Sequence, residues 1–347
     1  MQKIQTFFGD NKRYTYVILA LVIIAGLVTD NYTLAMWFGF IVAGFSAVSN
    51  DSIQTLGTFL AANKKVAWYW LWAFIGGIMV LTVTYGWLTY AGDISYGRLN
   101  QIPQPQSISF IQLLAPIALI VLTRFRMPVS TTFLILAAFS STDTINAMLN
   151  KTMIGYFLAF FVAILTWGAI GYVIQRYKLD HKKVMSKKKS RLWQTCLWLS
   201  AGFLWMAWLM QDNANAAVFL PRSLSIWHLV GVIVIMLAML AYILRKRGGE
   251  IQSIVTEKTD VTYVKSATLI NVVYGVILIY FKWMNDLPMS TTWVFLGLLA
   301  GREVALTFMI HKDKQFKETL SLVMKDIAKA IIGLVLSILL AYATKLF

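Results

Sequence analysis

The sequence is short of charge, and of acid above all. Charged residues make up 13% of its 347 positions, with 15 Asp and Glu against 31 Lys and Arg; soluble domains carry about twice that share of charge. One cysteine, Cys196, excludes an internal disulfide and a thiolate metal cluster. The three histidines, His181, His228 and His311, lack metal-ligand spacing. No Gly-Lys-Ser/Thr nucleotide loop occurs, which argues against ATP-driven work within this chain, and no enzymatic activity or cofactor is expected. Strand-like alternation is also missing, which argues against an outer-membrane barrel.

What is abundant is apolar sequence: 59% of residues are hydrophobic and the mean hydropathy is +0.67. Runs of roughly 20 apolar residues recur, the length a helix needs to cross a bilayer. An all-α, multi-pass integral membrane protein of a cell (inner or plasma) membrane follows. The formal charge of +16 sits mostly in short connections, above all Arg176 to Arg191. That is a topology signal, with basic turns on the cytoplasmic side, and no nucleic-acid partner is expected. The first apolar run begins near Tyr14 without a small-residue cleavage site, so it is expected to be retained as a span.

Along the chain, Tyr14 to Val28 reads as a first span, and Leu34 to Ala62 as one helix broken at Asn50-Asp51. Val66 to Tyr90 is a clear span, and Asp93 to Ser109, polar and poor in positive charge, reads as an outside loop. Ile111 to Thr123 is too short to cross and is interrupted by Arg124, Arg126 and Pro128, which suggests a re-entrant hairpin or two full spans. Arg124 and Arg126 then lie either near the hairpin tip or in a cytoplasmic turn. Thr152 to Ile174 closes the half. The order then repeats: Leu192 to Met210 ends in a break at Gln211-Asp212, Ile226 to Leu244 is a span, Tyr263 to Phe281 and Pro288 to Met309 flank a second polar interruption, and Leu322 to Leu346 ends the chain.

Two unlike motifs share one offset. Asn50-Asp51 returns as Gln211-Asp212, with the acid 161 positions on; Pro128-Val129-Ser130-Thr131-Thr132 returns as Pro288-Met289-Ser290-Thr291-Thr292, 160 positions on. This marks a duplicated chain. The expected division is residues 1–175 as a first repeat, 176–191 as a basic cytoplasmic linker, and 192–347 as a second repeat. Counting crossings places the basic turns on one side only if the two repeats have inverted topology.

Chemistry concentrates at these motifs. Asp51 and Asp212 are the acids expected deepest in the membrane, where a carboxylate persists when it binds a cation, a proton or a partner. The amides beside them (Asn50, Gln54, Gln211, Asn213 and Asn215) suit a broken helix lining a polar cavity. Ser130, Thr131 and Thr132, like Ser290, Thr291 and Thr292, follow a proline, so each set should open a helix whose free N–H groups, hydroxyls and dipole favour an anion.

These pairs resemble the signatures of the inorganic phosphate transporter (PiT) family, which carries Gly-Ala-Asn-Asp-Val-Ala-Asn-Ala and Pro-Val-Ser-Thr-Thr-His motifs in each half. Asn50-Asp51 and Gly57-Thr58 match in the first half; Asp212, Ala214, Asn215 and Ala216 match in the second, as do both Pro-x-Ser-Thr-Thr runs. The resemblance implies inverted repeats with broken helices and re-entrant hairpins, and cation-coupled symport of inorganic phosphate. Phosphate would bind among Ser130, Thr131, Thr132, Ser290, Thr291, Thr292, Asn50, Asn215 and Gln211, and Na+ or H+ would couple at Asp51, Asp212 and Gln54. The expected partners are the oxyanion, the bilayer and, as an assembly option, a second copy in a homodimer. The sequence departs from the family: Gln54 and Gln211 replace asparagines, and Phe133 and Trp293 stand where the family has histidine. A sulfate or other oxyanion permease, and a non-transporting membrane scaffold of the same fold, are the alternatives.

Overall fold

The computed structural model describes residues 12–124, 129–177, 186–246, 264–309 and 316–346, and every regular element among them is helical. Helix α1 spans Lys12–Val28, α2 Tyr32–Ala62, α3 Trp68–Thr89 and α4 Phe110–Arg124. A one-turn π-helix, Thr132–Leu136, and a 3-10 turn, Ala137–Phe139, lead into α5, Thr142–Arg176. The second half holds α6 Lys187–Asp212, α7 Ala214–Ala217, α8 Ile226–Arg245, α9 Val264–Met284, α10 Thr291–Met309 and α11 Phe316–Leu346. The residues Phe125 to Pro128, with Arg126, and the basic residues between Tyr177 and Ser186 lie outside the described residues.

Seven of these helices are long and apolar enough to cross a membrane. Their outer faces carry Leu81, Leu165, Trp227 and Trp283, each more than 70% exposed. An apolar surface of that extent would be unstable in water and is what a lipid-facing surface requires. The protein is a multi-pass helical membrane protein.

The order after α1 repeats: long helix, span, hairpin, span. Corresponding helices pass each other in opposite directions. In α3 and α8, Trp72 donates to the Leu237 carbonyl at 2.9 Å near one end, and Trp87 to the Leu224 carbonyl at 2.7 Å near the other. In α2 and α6, Asn63 at the end of α2 accepts from Gln194 at 2.7 Å and Trp198 at 3.2 Å in the early turns of α6. The far end of that pair closes where the Phe219 ring fills the space a Cβ on Gly39 would need. Each hairpin packs on the last helix of the other half, α10 along α5 and the π/3-10 segment along α11. In the α5–α10 seam, Gly297 and Gly301 lie one helical turn apart against the carbonyls of Tyr156 and Phe160, where any Cβ would overlap backbone. Small residues at four-residue spacing are how membrane helices approach closely without a hydrophobic drive between them.

One sequence expectation needs correction. Helix α2 runs unbroken through Asn50-Asp51 for 31 residues; the break occurs in the second half alone, at Asn213 between α6 and α7. Asn and Asp cost a helix under about 1 kcal/mol each, a penalty their side-chain bonds offset when buried. Helix α6 already begins at Lys187, inside the stretch read as linker, capped by Ser186, whose hydroxyl accepts from the Lys189 N–H. In the Asp93–Ser109 segment Ile94, Ser95, Tyr96, Arg98, Leu99 and Ile102 are at most 2% exposed, while Pro103, Gln104, Gln106 and Ser107 are exposed. The buried part folds into the helix bundle, held by Asp93, whose carboxylate accepts from the Ser95 and Gly97 N–H groups at 2.7 and 2.8 Å.

The hairpins differ in size. Helix α4 has 15 residues, about 22 Å at 1.5 Å per residue, too short for a hydrocarbon core of about 30 Å. Helices α9 and α10 are each of crossing length, yet the turn between them is internal, with Leu287, Met289 and Ser290 buried.

Candidate functional site

The fold brings the two acidic motifs and the two Ser-Thr-Thr runs to one place. Asn50, Asp51, Gln54, Ser130, Thr131, Thr132, Gln211, Asp212, Asn215, Ser290, Thr291 and Thr292 are all buried. Ser130 and Ser290 do the same job in each half: each hydroxyl accepts from the N–H three residues on, Phe133 at 3.2 Å and Trp293 at 3.3 Å. These are N-cap bonds, and they hold the following turn open at its N–H end. The two turns are unequal, since Thr291 opens a 19-residue α-helix and Thr132 opens only the short π/3-10 segment. The second therefore carries the fuller dipole.

Each acid is gripped by hydroxyls and amides. The Asn50 amide donates to Asp51 Oδ1 at 2.8 Å, to the Val129 carbonyl at 3.0 Å and to Thr131 Oγ1 at 3.1 Å, and its own oxygen accepts from Thr123 at 3.4 Å. Asp212 accepts from Asn215 at 3.2 Å, from Thr132 at 3.3 Å and from Thr291 in a short contact. Two of these bonds join the halves. Thr132 of the first reaches Asp212 of the second, and Gln54 of the first donates to Thr292 of the second at 3.1 Å. Asp51 and Asp212 lie within electrostatic reach of each other.

The polar balance of the cluster is one-sided. Asp51 Oδ2, Gln54 Oε1, Gln211 Oε1 and Asn215 Oδ1 are buried and meet no donor. The amide orientations are fixed by partners that can only accept: Gln54 Nε2 meets Asp51 Oδ1 at 3.4 Å, Gln211 Nε2 the Leu278 carbonyl at 2.6 Å, and Asn215 Nδ2 Asp212 Oδ1. The cluster thus leaves four buried oxygen acceptors unanswered, and oxygen is the ligand type that hard cations take.

Sequence reasoning missed several supporting groups. Thr123 holds Asn50; Thr152 accepts from the Ser290 N–H at 3.0 Å; and Tyr274 donates to the Thr291 carbonyl at 2.9 Å. Only the repeat offset could have signalled such positions, and they fall outside it. Arg124, undecided between tip and turn, stacks over the Tyr14 ring at 5.4 Å, while Arg126 is outside the described residues.

No protein-family model matches the chain, and no curated protein matches it. A solved structure, that of the sodium-dependent phosphate transporter, is similar over 94% of this chain and 97% of its own, with a TM-score of 0.59 and 14% identity. The likeness is one of fold. It covers nearly the whole of both chains.

Proposed function

We propose that this protein is a secondary transporter that carries inorganic phosphate together with a cation, Na+ or H+, around the buried cluster of Asp51, Asp212 and the two Ser-Thr-Thr runs. The observation that carries this reading is the interleaving of hydroxyl donors with four donorless acceptor oxygens. In this reading the oxyanion takes the Ser130–Thr132 and Ser290–Thr292 hydroxyls and turn N–H groups, with Asn50, Asn215 and Gln211 beside it. The cation takes Asp51, Asp212 and Gln54. Coupling then follows from electrostatics: two buried carboxylates repel an arriving oxyanion, and a bound cation removes that repulsion. A set of several oxygens favours Na+ over a proton, which could satisfy only one of them.

The halves of the chain act as inverted repeats in this proposal, residues 1–175 against 192–347, and the opposed courses of α2 with α6 and α3 with α8 support it. The fold shared with a sodium-dependent phosphate transporter supports the substrate and the ion. A sulfate permease is the second reading. It is favoured by Phe133 and Trp293, buried apolar residues directly after each Ser-Thr-Thr run; neither can exchange a proton with a substrate.

The test is uptake of radiolabelled phosphate into proteoliposomes under imposed Na+ and H+ gradients in turn, with sulfate as competitor. Gradient-driven uptake, lost in Ser130→Ala/Ser290→Ala, is expected. Sulfate uptake without phosphate uptake would favour the second reading, and uptake of neither would overturn both.

A further inference from the structure

A second group of buried charges lies beneath the 93–109 segment, apart from the Ser-Thr-Thr runs. Arg98 is fully buried, Lys151 is 5% exposed and Lys282 is 8% exposed. Lys282 pairs with Asp286 at 2.7 Å. Lys151 spends its ammonium on the turn between α9 and α10, donating to the carbonyls of Phe281 and Asn285 at 3.2 Å, to that of Leu287 at 2.7 Å and to the Asn285 side chain at 2.6 Å. Arg98 Nη1 joins it there, donating to the carbonyls of Asn285 at 3.2 Å and Leu287 at 2.7 Å.

A structural clamp would need no more than that. Yet Arg98 Nε and Nη2, buried in the same place, meet no acceptor, and among the described residues no carboxylate forms an ion pair with this guanidinium. Nε–H and Nη2–H form the side-on fork of the guanidinium, two parallel donors that match two oxygens of one oxyanion. The surroundings favour negative charge. Three buried cations are answered by Asp286 and by Asp212, which Arg98 feels from a distance. Burial pulls the Arg98 guanidinium down to about 10, against the pull of Asp212 and Asp286, as expected for a cation short of counter-charge.

Its position gives the fork a use. Gly97 and Leu99, on either side of Arg98, line a cavity of about 490 Å³ shared with Tyr90, Asp93, Asn100 and Arg222. Gly97 holds φ +76°, and a Cβ there would stand 3.3 Å from Asp286 Oδ2, so the segment is seated directly on the α9–α10 turn. Arg98 is buried behind that lining and lies within electrostatic reach of Asp212.

We propose that the free edge of Arg98, with the charge of Lys151 and Lys282 behind it, is a second oxyanion site, a station on the path between the 490 Å³ cavity and the Ser-Thr-Thr site. The proposal rests on the reading of the substrate as a small oxyanion. It goes beyond that reading in placing a second anion outside the two repeated motifs.

Equilibrium binding of radiolabelled phosphate to the purified full chain in lipid nanodiscs tests it. The wild type should bind about two phosphates per chain. Ser130→Ala/Ser290→Ala should retain about one, competed by sulfate, and adding Arg98→Gln to that background should abolish it. Arg98→Lys, which keeps the charge but not the fork, should weaken this site by roughly tenfold or more. If Arg98→Gln fails to fold, the serine variant decides alone: residual phosphate binding sustains the station and its absence overturns it. A wild type with one site, lost entirely with the serines, overturns the station but leaves the transporter reading intact. A wild type that binds neither phosphate nor sulfate overturns both.

Discussion

Asp212→Asn separates the structural and the transport roles of this acid, because the substitution keeps its shape and removes its charge. Asp212 accepts three hydrogen bonds, from Thr132, Asn215 and Thr291. Bonds to a charged group are worth about 1.5–3 kcal/mol each and neutral ones about 0.5–1.5 kcal/mol. The change therefore weakens the three by about 3–4 kcal/mol in total. Both threonine hydroxyls can turn from donor to acceptor, so no buried group is left unpaired. The same change removes a buried charge whose desolvation costs several kcal/mol. The two effects offset to within about 2 kcal/mol, and the melting temperature, followed by tryptophan fluorescence, should move by only a few degrees. Cation binding has no such offset. At an effective dielectric of about 20, a carboxylate and a cation about 4 Å apart attract by about 4 kcal/mol, nearly three powers of ten in affinity. In proteoliposomes, the Na+ concentration for half-maximal phosphate uptake should rise more than about 100-fold. A folded Asp212→Asn protein with the Na+ dependence of the wild type would refute the assignment of a cation to this acid.

Three further perturbations test the geometry. Gln54→Asn shortens the side chain by one methylene and breaks its 3.1 Å bond to Thr292 while keeping the amide; uptake should fall about tenfold with the fold intact, and an unchanged rate in the same proteoliposome assay would show that this link between the halves is idle. Asn63→Ala removes the acceptor of the partly buried Gln194 and Trp198 donors and should destabilise the protein by about 1–3 kcal/mol, read as a lowered melting temperature without loss of substrate affinity in what remains folded. Gly301→Val forces a branched side chain into the carbonyl of Phe160, and should prevent α10 from seating on α5; size-exclusion chromatography should show little monodisperse protein, whereas Gly168→Val, where a Cβ meets nothing within 4 Å, should leave the profile unchanged.

Much of the fold was legible because hydropathy and turn charge report directly on a bilayer. The site was legible because a duplicated chain repeats its polar interruptions at one offset, so Asp51 with Asp212 and Ser130 with Ser290 identified each other. What escaped notice lay outside the two repeated motifs. Arg98 lay in a stretch read as an outside loop from its prolines and low positive charge. The signal of burial was its apolar residues, Ile94, Tyr96, Leu99 and Ile102, which a fully exposed loop has no reason to carry. Lys151 precedes the span expected from Thr152, yet it stands nine residues beyond Thr142, where α5 begins. The break expected at Asn50-Asp51 failed for a local reason: polarity alone does not break a helix whose side chains find partners. Asn50 and Gln54 find theirs across α2, whereas the Asn213 side chain is drawn to the Ile94 carbonyl of the inserted segment.

The departures from repeat symmetry decide how the halves are tied at the site. Gln54 occupies the repeat position of Asn215, and Gln211 that of Asn50. The shorter amides turn back on the acid of their own half: Asn50 bonds Asp51, and Asn215 bonds Asp212. The longer ones do not stop there. Gln54 reaches across to Thr292, and Gln211 turns to the Leu278 carbonyl of α9. The side-chain ties between the halves among these motifs are therefore the Gln54–Thr292 bond and the Thr132 hydroxyl, which has both Asp212 and the Met289 carbonyl within reach at 3.3 Å. Bonds of these kinds are worth about 1 to 3 kcal/mol each, so a rocking of one half past the other would break only a few kcal/mol of interaction here. An oxyanion held by hydroxyls of both runs would add bonds across the same seam. The occupied site would then move as one unit, while the site with a cation alone would stay loosely tied.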